Sequence, residues 1–350
     1  MLARPGLPSF DYVRANSASE VIHLLGEHGA AARLLMGGTD LLVQMRNGAV
    51  RPRLVVDVKH LPGMRDVVYV RSRGAVSAPR SAGVPSPVRS EARRSAGVPF
   101  PDERTGLTVG AAVTMNELAN HPDVRAHCPL LAEAARSVAS YQVRNRATVG
   151  GNLCNCSPCA DTAPATLVLE GTIALQGRDG ERRIPADAFF LGPGQSAIQP
   201  GEFLAAIHYP TPPPGAAGRY LKLGRSKAGD LAIVSVAIFG FPDSTAPSGY
   251  CFRIALGSVA PIVLRASAAE EVLAAGPPDE ETFARAAERT SQAASPIDDV
   301  RASAAYRTAM VRNLTLRGLR QVWEQLRNTQ HETWYPTDTH CSQRVRCVPL

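Results

Sequence analysis

The chain has 350 residues, 45% of them hydrophobic and 20% charged, which is typical of a folded globular protein and excludes wholesale disorder. Lys and Arg exceed Asp and Glu (38 against 31), but residues 71–104 alone hold seven arginines against three acidic residues, and only 5% of the chain is aromatic. We therefore expect no nucleic-acid-binding surface. Since neither a run of about eighteen apolar residues nor an apolar N-terminal signal occurs, we expect no membrane span and a cytoplasmic location.

The first sixty residues predict a small α/β unit. Ser17-Ala-Ser-Glu20 is a capping-box pattern, and the apolar residues after it have helical spacing. A short buried strand ends at Gly37-Gly38, and a second helix is predicted over 41–46. Leu54-Val-Val-Asp57 then predicts the return strand, so that strand, helix and strand follow one another closely.

Residues 72–104 interrupt this pattern. Arg80-Ser-Ala-Gly-Val-Pro-Ser-Pro87 recurs as Arg94-Ser-Ala-Gly-Val-Pro-Phe-Pro101. A duplication with Pro and Gly in each copy cannot bury a continuous apolar face, so the segment is predicted to be a disordered insertion. A proline-rich docking segment is the alternative.

The remaining sequence predicts strands and helices in two parts, separated by a Pro-rich linker at 210–215. The first part contains a strand at 106–110, a capping box at Thr114-Met-Asn-Glu117, a helix over 130–138 and a hairpin around 176–180. The second part is expected to contain strands at 233–239 and 252–256, helices at 268–293 and 303–327, and an irregular tail at 328–350.

Two Gly-Gly pairs are the first candidates for a binding site. Gly37-Gly38 lies at a strand-to-helix turn, and Gly150-Gly151 lies in the polar stretch Thr148–Asp161. Glycine lets backbone N–H groups approach an anion, and the hydroxyl, amide and carboxylate groups of the second stretch suit a polyhydroxyl chain. Gly37-Gly38 has the spacing of neither a dinucleotide fingerprint nor a P-loop. Together the two pairs predict one ligand with two phosphates and a sugar-like chain, and a tight turn without ligand is the alternative for Gly37-Gly38.

The seven cysteines do not suggest a disulfide framework in a cytosolic chain. Three of them are clustered as Cys154, Cys156 and Cys159. This spacing could ligate zinc or an iron–sulfur cluster, but a fourth ligand is missing from the stretch, and His127 and Cys128 are candidates by sequence proximity only. We expect no metal site and interpret the cluster as small packed residues, with a metal module as the alternative.

Five segments carry a resemblance to a known family: Leu34–Leu41, Gln142–Asn152, Cys156–Pro158 before Asp161, Tyr220–Ala232 and Asp299–Arg307. In this order they resemble the FAD-binding, or medium, subunits of molybdenum hydroxylases, which include carbon monoxide dehydrogenases and bacterial xanthine dehydrogenases. The resemblance spans residues 1–71 and 105–327, and therefore everything except the insertion and the tail.

The resemblance implies an α+β fold. A PCMH-type, vanillyl-alcohol-oxidase-like FAD-binding fold of two α/β subdomains would be followed by a C-terminal α+β domain of the CO dehydrogenase flavoprotein type. The expected boundaries are 1–57 for FAD-binding subdomain 1, 58–213 for subdomain 2, 214–327 for the C-terminal domain and 328–350 for the tail.

The resemblance also implies which residues bind FAD. Those that match the first pyrophosphate loop are Leu34, Leu35, Met36, Gly37, Gly38, Thr39, Asp40 and Leu41. Those that match the second loop with its ribityl and ribose contacts are Thr148, Val149, Gly150, Gly151, Asn152, Asn155 and Asp161. Leu204 and Lys222 match positions that approach the flavin, where a lysine could stabilise the anionic reduced ring; a solvated strand lysine is the alternative. No catalytic acid, base or nucleophile is implied, and His208 is expected to be structural.

The function implied by the resemblance is electron transfer in a complex. A large subunit would carry the Mo-molybdopterin cofactor, and a small subunit would carry [2Fe–2S] clusters. This chain would pass electrons from those clusters through FAD to NAD, a quinone or oxygen, as part of a dimer of heterotrimers, and would be inactive alone. The alternatives are a self-sufficient flavin oxidase of the same fold, and an iron–sulfur or zinc module built on Cys154, Cys156 and Cys159.

Overall fold

The computed structural model describes residues 6–71, 105–226 and 229–334, the last six by their backbone alone. The predicted insertion at 72–104 lies outside the described residues, as does most of the predicted tail. Three main sheets organise the described chain, and they fall within residues 11–57, 67–210 and 217–265.

The first sheet is parallel and has three strands. Its unit consists of β1 (Asp11–Arg14), α1 (Ala18–His28), β2 (Ala32–Leu35), α2 (Leu41–Arg46) and β3 (Leu54–Asp57). The strand order is β1-β3-β2, and every residue of the central β3 is buried, as is usual for a parallel strand covered on both faces. The Ser17 hydroxyl accepts a hydrogen bond from the Glu20 N–H at 3.1 Å, which confirms the predicted helix cap.

The second sheet is antiparallel and has helices packed against it. Its unit consists of β4 (Val67–Val70), β5 (Gly106–Gly110), α3 (Met115–Asn120), α4 (Pro122–His127), α5 (Pro129–Arg136), α6 (Tyr141–Arg144), α7 (Val149–Cys154), α8 (Thr162–Val168), β6 (Thr172–Gly177), β7 (Gly180–Pro185), β8 (Phe190–Gly192), β9 (Gln195–Ser196) and β10 (Phe203–Pro210). The strand order is β4-β5-β10-β6-β7, and β8 pairs with β9 separately. The predicted capping box of Thr114 and Glu117 begins α3, and β6 and β7 form the predicted hairpin.

The C-terminal unit is an antiparallel sheet in the order β11-β12-β13-β14 with three helices. It consists of β11 (Ala217–Leu223), β12 (Val234–Pro242), β13 (Tyr250–Gly257), β14 (Leu264–Arg265), α9 (Ser267–Ala275), α10 (Glu280–Ala293) and α11 (Ala304–Trp334). Two predicted helix extents were wrong. The helix expected over 268–293 is interrupted after α9, because Gly276-Pro277-Pro278 cannot continue it. Helix α11 continues to Trp334, so residues 328–334 are helical rather than irregular.

Arg307 fastens the start of α11 to the C-terminal sheet. It is 2% exposed and donates to the carbonyl oxygens of Ile233 at 2.6 Å and Ser258 at 3.1 Å. It also pairs with Asp299 at 2.7 Å, as does Arg301. The two guanidinium groups hold the pKa of Asp299 well below its usual range. Because a buried charge is tolerated only when it is paired, this network explains the Asp299–Arg307 motif.

Two hydrophobic cores lie beneath these sheets. The first joins the first two sheets to α5 and α8 and reaches Tyr220 and Phe239 of the C-terminal sheet. The second lies between the C-terminal sheet and its helices, around Phe252, Phe283 and Leu319. Among the helices of the described residues, none has the length and apolar character needed to cross a membrane.

Candidate cofactor-binding site

A cavity of about 860 Å³ lies where the two Gly-Gly pairs meet, and its size is within the range of about 300–1,000 Å³ usual for ligand pockets. Thirteen of the seventeen residues predicted to bind FAD line it: Leu34, Met36, Gly37, Gly38, Thr39, Asp40, Leu41, Thr148, Gly151, Asn152, Asn155, Asp161 and Leu204. The other four, Leu35, Val149, Gly150 and Lys222, are not on its wall. Contact of these residues with FAD stays a prediction.

The turn between β2 and α2 lines this cavity and has free backbone donors. Within the described ranges, the N–H groups of residues 37–40 donate to no protein acceptor. Consecutive N–H groups in a turn form a concavity that favours an anion. Burial raises the pKa of the neighbouring Asp40 carboxyl. The turn can therefore hold an anionic group such as a diphosphate.

Gly37 is fixed by the close approach of the two loops. A Cβ at this position would lie 2.1 Å from the carbonyl oxygen of Arg146, far inside any permitted contact. Gly38 has φ of 73°, in the left-handed region that glycine enters at little cost. The fold therefore requires this Gly-Gly pair where the loops cross, beside the cavity.

The second Gly-Gly pair differs from the expectation that its backbone binds phosphate. It lies in the first turn of α7, where the N–H groups of Val149, Gly150 and Asn152 donate to backbone carbonyls at 2.9–3.0 Å. Gly151 N–H donates to the Thr148 hydroxyl at 3.2 Å. These four donors are already used, so side chains must supply the polar contacts here. Gly150 is needed for packing, because a Cβ there would lie 2.6 Å from the Cβ of Ala111.

Asp161 is a buried carboxylate on the cavity wall, 4% exposed. Tyr220 donates its hydroxyl to Oδ1 at 2.7 Å, and Lys222 donates Nζ to Oδ2 at 2.9 Å and to the carbonyl oxygen of Ser137 at 2.9 Å. Burial raises the pKa of Asp161, and the Lys222 charge and the hydrogen bonds partly offset that rise. Lys222 belongs to a buried ion pair, so the alternative of a solvated strand lysine was wrong.

Sequence reasoning missed much of the cavity wall. Residues 196–203, here called the wall segment, line it at every position except Ala197. The N–H of Glu202 donates to the Gln199 carbonyl at 3.0 Å, and Gly201 has φ of 83°, so Pro200-Gly201 forms the centre of a turn. That Pro-Gly pair was the only available sequence signal. Val138, Ala139 and residues 229–231 also line the cavity and were also missed.

The clustered cysteines were considered above as metal ligands. In the part of the chain that the structure describes, no group of three or more His, Cys, Asp or Glu side chains is arranged to hold a metal ion. Arg301 donates to Cys159 Sγ at 3.4 Å. These observations argue against the metal module.

The two histidines considered from sequence are both engaged in packing. The His127 ring stacks on Tyr69 with centroids 3.5 Å apart. His208 is buried in β10 with Nδ1 3.1 Å from the Thr108 hydroxyl. Both therefore have structural contacts, and neither lines the cavity.

The residues present fit FAD. Free N–H groups at residues 37–40 suit its diphosphate, the Asn152 and Asn155 amides suit its hydroxyl groups, and Asp161 suits a ring N–H donor. An added Cβ at Gly151 would meet only Thr148 Oγ1, at 2.9 Å, within a radius of 4 Å. The glycine therefore leaves space on the cavity side of α7 that a side chain would fill.

Comparisons with known proteins match this architecture. The model of the FAD binding domain in molybdopterin dehydrogenase matches residues 8–77 and 100–212, and that of the CO dehydrogenase flavoprotein C-terminal domain matches 219–322. The carbon monoxide dehydrogenase medium chain of Hydrogenophaga pseudoflava is 31% identical over 90% of this chain and 98% of its own length. The xanthine dehydrogenase FAD-binding subunit of Escherichia coli O157:H7 is 28% identical over 87% and 92%.

Solved structures agree in fold. Carbon monoxide dehydrogenase from Hydrogenophaga pseudoflava, in a form that lacks the Mo-pyranopterin moiety of the molybdenum cofactor, contains a chain that matches with a TM-score of 0.77. The match covers 91% of this chain and 99% of that chain at 31% identity. Quinoline 2-oxidoreductase from Pseudomonas putida 86 contains a chain with a TM-score of 0.75 at 26% identity, covering 91% and 99%. The expected fold class is confirmed.

Proposed function

The chain belongs to the family of FAD-binding subunits of molybdopterin dehydrogenases, and from this premise we propose that it is the electron-transfer subunit of a multi-subunit molybdenum hydroxylase. It is an oxidoreductase subunit with FAD as its cofactor. In the proposal, it receives electrons from [2Fe–2S] clusters on a small partner subunit and passes them to NAD, a quinone or oxygen. A large partner subunit carries the molybdopterin cofactor and binds the organic substrate.

The free N–H groups of residues 37–40 on the wall of the cavity support this proposal most strongly. A turn that leaves four neighbouring donors without a protein acceptor loses favourable hydrogen bonds unless a ligand or water supplies them. The diphosphate of FAD carries acceptors that match such a turn.

FAD, when bound, supplies the redox chemistry, and the chain's own residues bind and orient it. The turn at 37–40 would hold the diphosphate, and Asn152 and Asn155 would bind the hydroxyl groups of the linking chain. Asp161 would accept a hydrogen bond from the flavin, and its carboxylate is held in place by Tyr220 and Lys222. The proposal assigns no organic reaction to this chain.

A partner surface near the cavity is consistent with electron transfer between subunits. Ile297 and Val300 are 72% and 98% exposed, and the adjacent Arg301 contacts Cys159 on the cavity wall. Apolar side chains that are exposed in one subunit can be covered by a partner. We propose a dimer of heterotrimers in which contacts with the partner subunits bury roughly 1,000 Å² or more.

Two measurements test the proposed function. The full-length chain purified alone should show the two-band visible absorbance of oxidised flavin and no dehydrogenase activity with purines, aldehydes or carbon monoxide. Co-expressed with the large and small subunits, it should co-purify with both in equal amounts. An iron–sulfur spectrum without flavin would contradict the proposal. A chain that stays monomeric and binds neither partner would contradict it as well.

A further inference from the structure

The wall segment, residues 196–203, is held at both ends, and its Pro200-Gly201 turn has the least support. Ser196 pairs with Phe190 in the β8–β9 hairpin, and Phe203 begins the buried strand β10. Between them, the Ala197 N–H donates to the Phe189 carbonyl at 2.9 Å and Ile198 packs on the core, whereas Gln199 and Pro200 are exposed. The turn at Pro200-Gly201 therefore depends on specific contacts to keep its place against the cavity.

One side chain from another element makes those contacts. Arg182, on β7, donates Nε to Glu202 Oε1 at 2.8 Å and Nη2 to Glu202 Oε2 at 2.6 Å. The same Nη2 donates to the Ala197 carbonyl at 2.8 Å. Glu202 Oε2 in turn accepts the N–H of Gln199 at 2.8 Å. In the described ranges, no other side chain hydrogen-bonds the wall segment to a different element.

The geometry of this contact is strong and specific. A guanidinium that meets a carboxylate through two parallel hydrogen bonds fixes orientation as well as distance. The Glu202 side chain is 12% exposed and that of Arg182 is 34% exposed, so the pair is partly shielded from water. Through Glu202 and Ala197 together, Arg182 fixes both sides of the Pro200-Gly201 turn.

We propose that Arg182 is a positioning residue that clamps the wall segment and so slows the release of FAD, an inference that rests on the proposed function. Because FAD leaves only while the wall is displaced, its rate of release scales with the fraction of time for which the wall is displaced. If loss of the clamp raises that fraction about tenfold, FAD is released about tenfold faster, which corresponds to about 1.4 kcal/mol. Arg182 does not itself line the cavity.

The next residue on β7 provides a matched control. Arg183 has a similar exposure of 30% and forms an ion pair with Glu181 on its own strand. Within the described residues, Arg183 makes no hydrogen bond or ion pair with the wall segment. Arg183→Gln therefore removes the same charge and a comparable ion pair from the same strand without releasing the clamp.

The test uses the full-length chain in wild-type, Arg182→Gln, Arg182→Lys and Arg183→Gln forms. FAD dissociation is followed by the recovery of flavin fluorescence after dilution, and the mobility of residues 196–203 by hydrogen exchange in the FAD-free protein. Thermal unfolding of the FAD-free protein reports overall stability. We expect Arg182→Gln to release FAD about tenfold faster and to exchange faster only around 196–203. Arg182→Lys should be intermediate, because an ammonium cannot form the paired bonds, and Arg183→Gln should match wild type.

Equal FAD release and equal exchange in wild type and Arg182→Gln would overturn the clamp. A uniform loss of thermal stability, with faster exchange throughout the chain, would also overturn it, because that result indicates a general structural role. If Arg182→Gln does not fold, the same two measurements on Arg182→Lys test the clamp. A wild-type chain that binds no FAD would instead refute the proposed function, so the two failures are distinguishable.

Discussion

Replacing Lys222 by methionine tests how the carboxylate on the cavity wall is held. Methionine keeps the length of the side chain but removes its charge, and Asp161 then retains only the Tyr220 hydroxyl. Lys222 and Asp161 are 14% and 6% exposed, so solvent replaces the lost partner only in part. The pKa of Asp161, already raised by burial, should rise further, and the group should take up a proton.

The size of the effect follows from proton linkage. Breaking a buried ion pair on one side costs about 3–5 kcal/mol. The cost cannot exceed that of protonating Asp161, because the protonated carboxyl needs no charged partner. With an unfolded pKa of about 3.9, keeping the proton on Asp161 costs about 4 kcal/mol at pH 7 and about 1.5 kcal/mol at pH 5. An acid whose folded pKa is raised loses stability as the pH rises above its unfolded pKa. The destabilisation by Lys222→Met should therefore be about 3 kcal/mol at pH 7 and should shrink by roughly half or more at pH 5.

Urea unfolding of the FAD-free chain at pH 5 and pH 7 measures these differences. Arg219→Met is the matched control, because Arg219 lies on the same strand and pairs with Glu133 in a more exposed ion pair, with side chains 38% and 29% exposed. Exposed pairs contribute about 0–1 kcal/mol, so the control should change little at either pH. A Lys222→Met effect below about 1 kcal/mol, or one that is the same at both pH values, would refute the buried ion pair.

Three further predictions concern the loops. Gly151→Val should abolish FAD binding, because a side chain there fills space on the cavity wall. Gly26→Val is the control and should still bind FAD, since an added Cβ there meets nothing within 4 Å. A folded Gly151→Val chain with stoichiometric FAD would contradict the second loop's role. Deleting residues 78–99, which neither family model matches, should leave FAD content and melting temperature unchanged, since loop length alters closure entropy slowly; a marked drop in melting temperature would count against this. Arg182 holds the pKa of Glu202 below its usual value. The stability that this ion pair contributes should therefore be lost as the pH falls below about 4.3. Between pH 7 and pH 3 the free energy of unfolding should fall more in wild type than in Arg182→Gln, and equal losses would exclude the pair.

Local signals in the sequence predicted local structure correctly. The cap at Ser17 and the capping box at Thr114 were visible because each depends on residues only three positions apart. The turn at Gly37-Gly38 was also visible, but its cause was not. Only the structure shows that Gly37 faces the Arg146 carbonyl, since that contact joins residues far apart in sequence.

The cavity wall shows where sequence reasoning stops. Apart from the turn signal of Pro200-Gly201, residues 198–203 carry no chemical signature of a binding site, and they line the cavity because they lie between β9 and β10 and at the start of β10. The resemblance supplied Leu204, but the residues before it had no motif to match. Likewise, no local sequence pattern indicated that Lys222 forms an ion pair with Asp161. The pairing joins β11 to the residue that precedes α8, 61 positions earlier in the chain, and could only be seen in three dimensions.

The reduction of bound flavin by a partner subunit tests the central claim most directly. The full-length chain loaded with FAD is mixed without oxygen with the reduced [2Fe–2S] subunit of its complex, and the flavin absorbance is followed. We predict rapid bleaching with the reduced partner, and none when purines, aldehydes or carbon monoxide are added to the chain alone. If the isolated chain instead oxidises an organic substrate with turnover that depends only on FAD, it is a self-sufficient oxidase and the electron-transfer account is wrong.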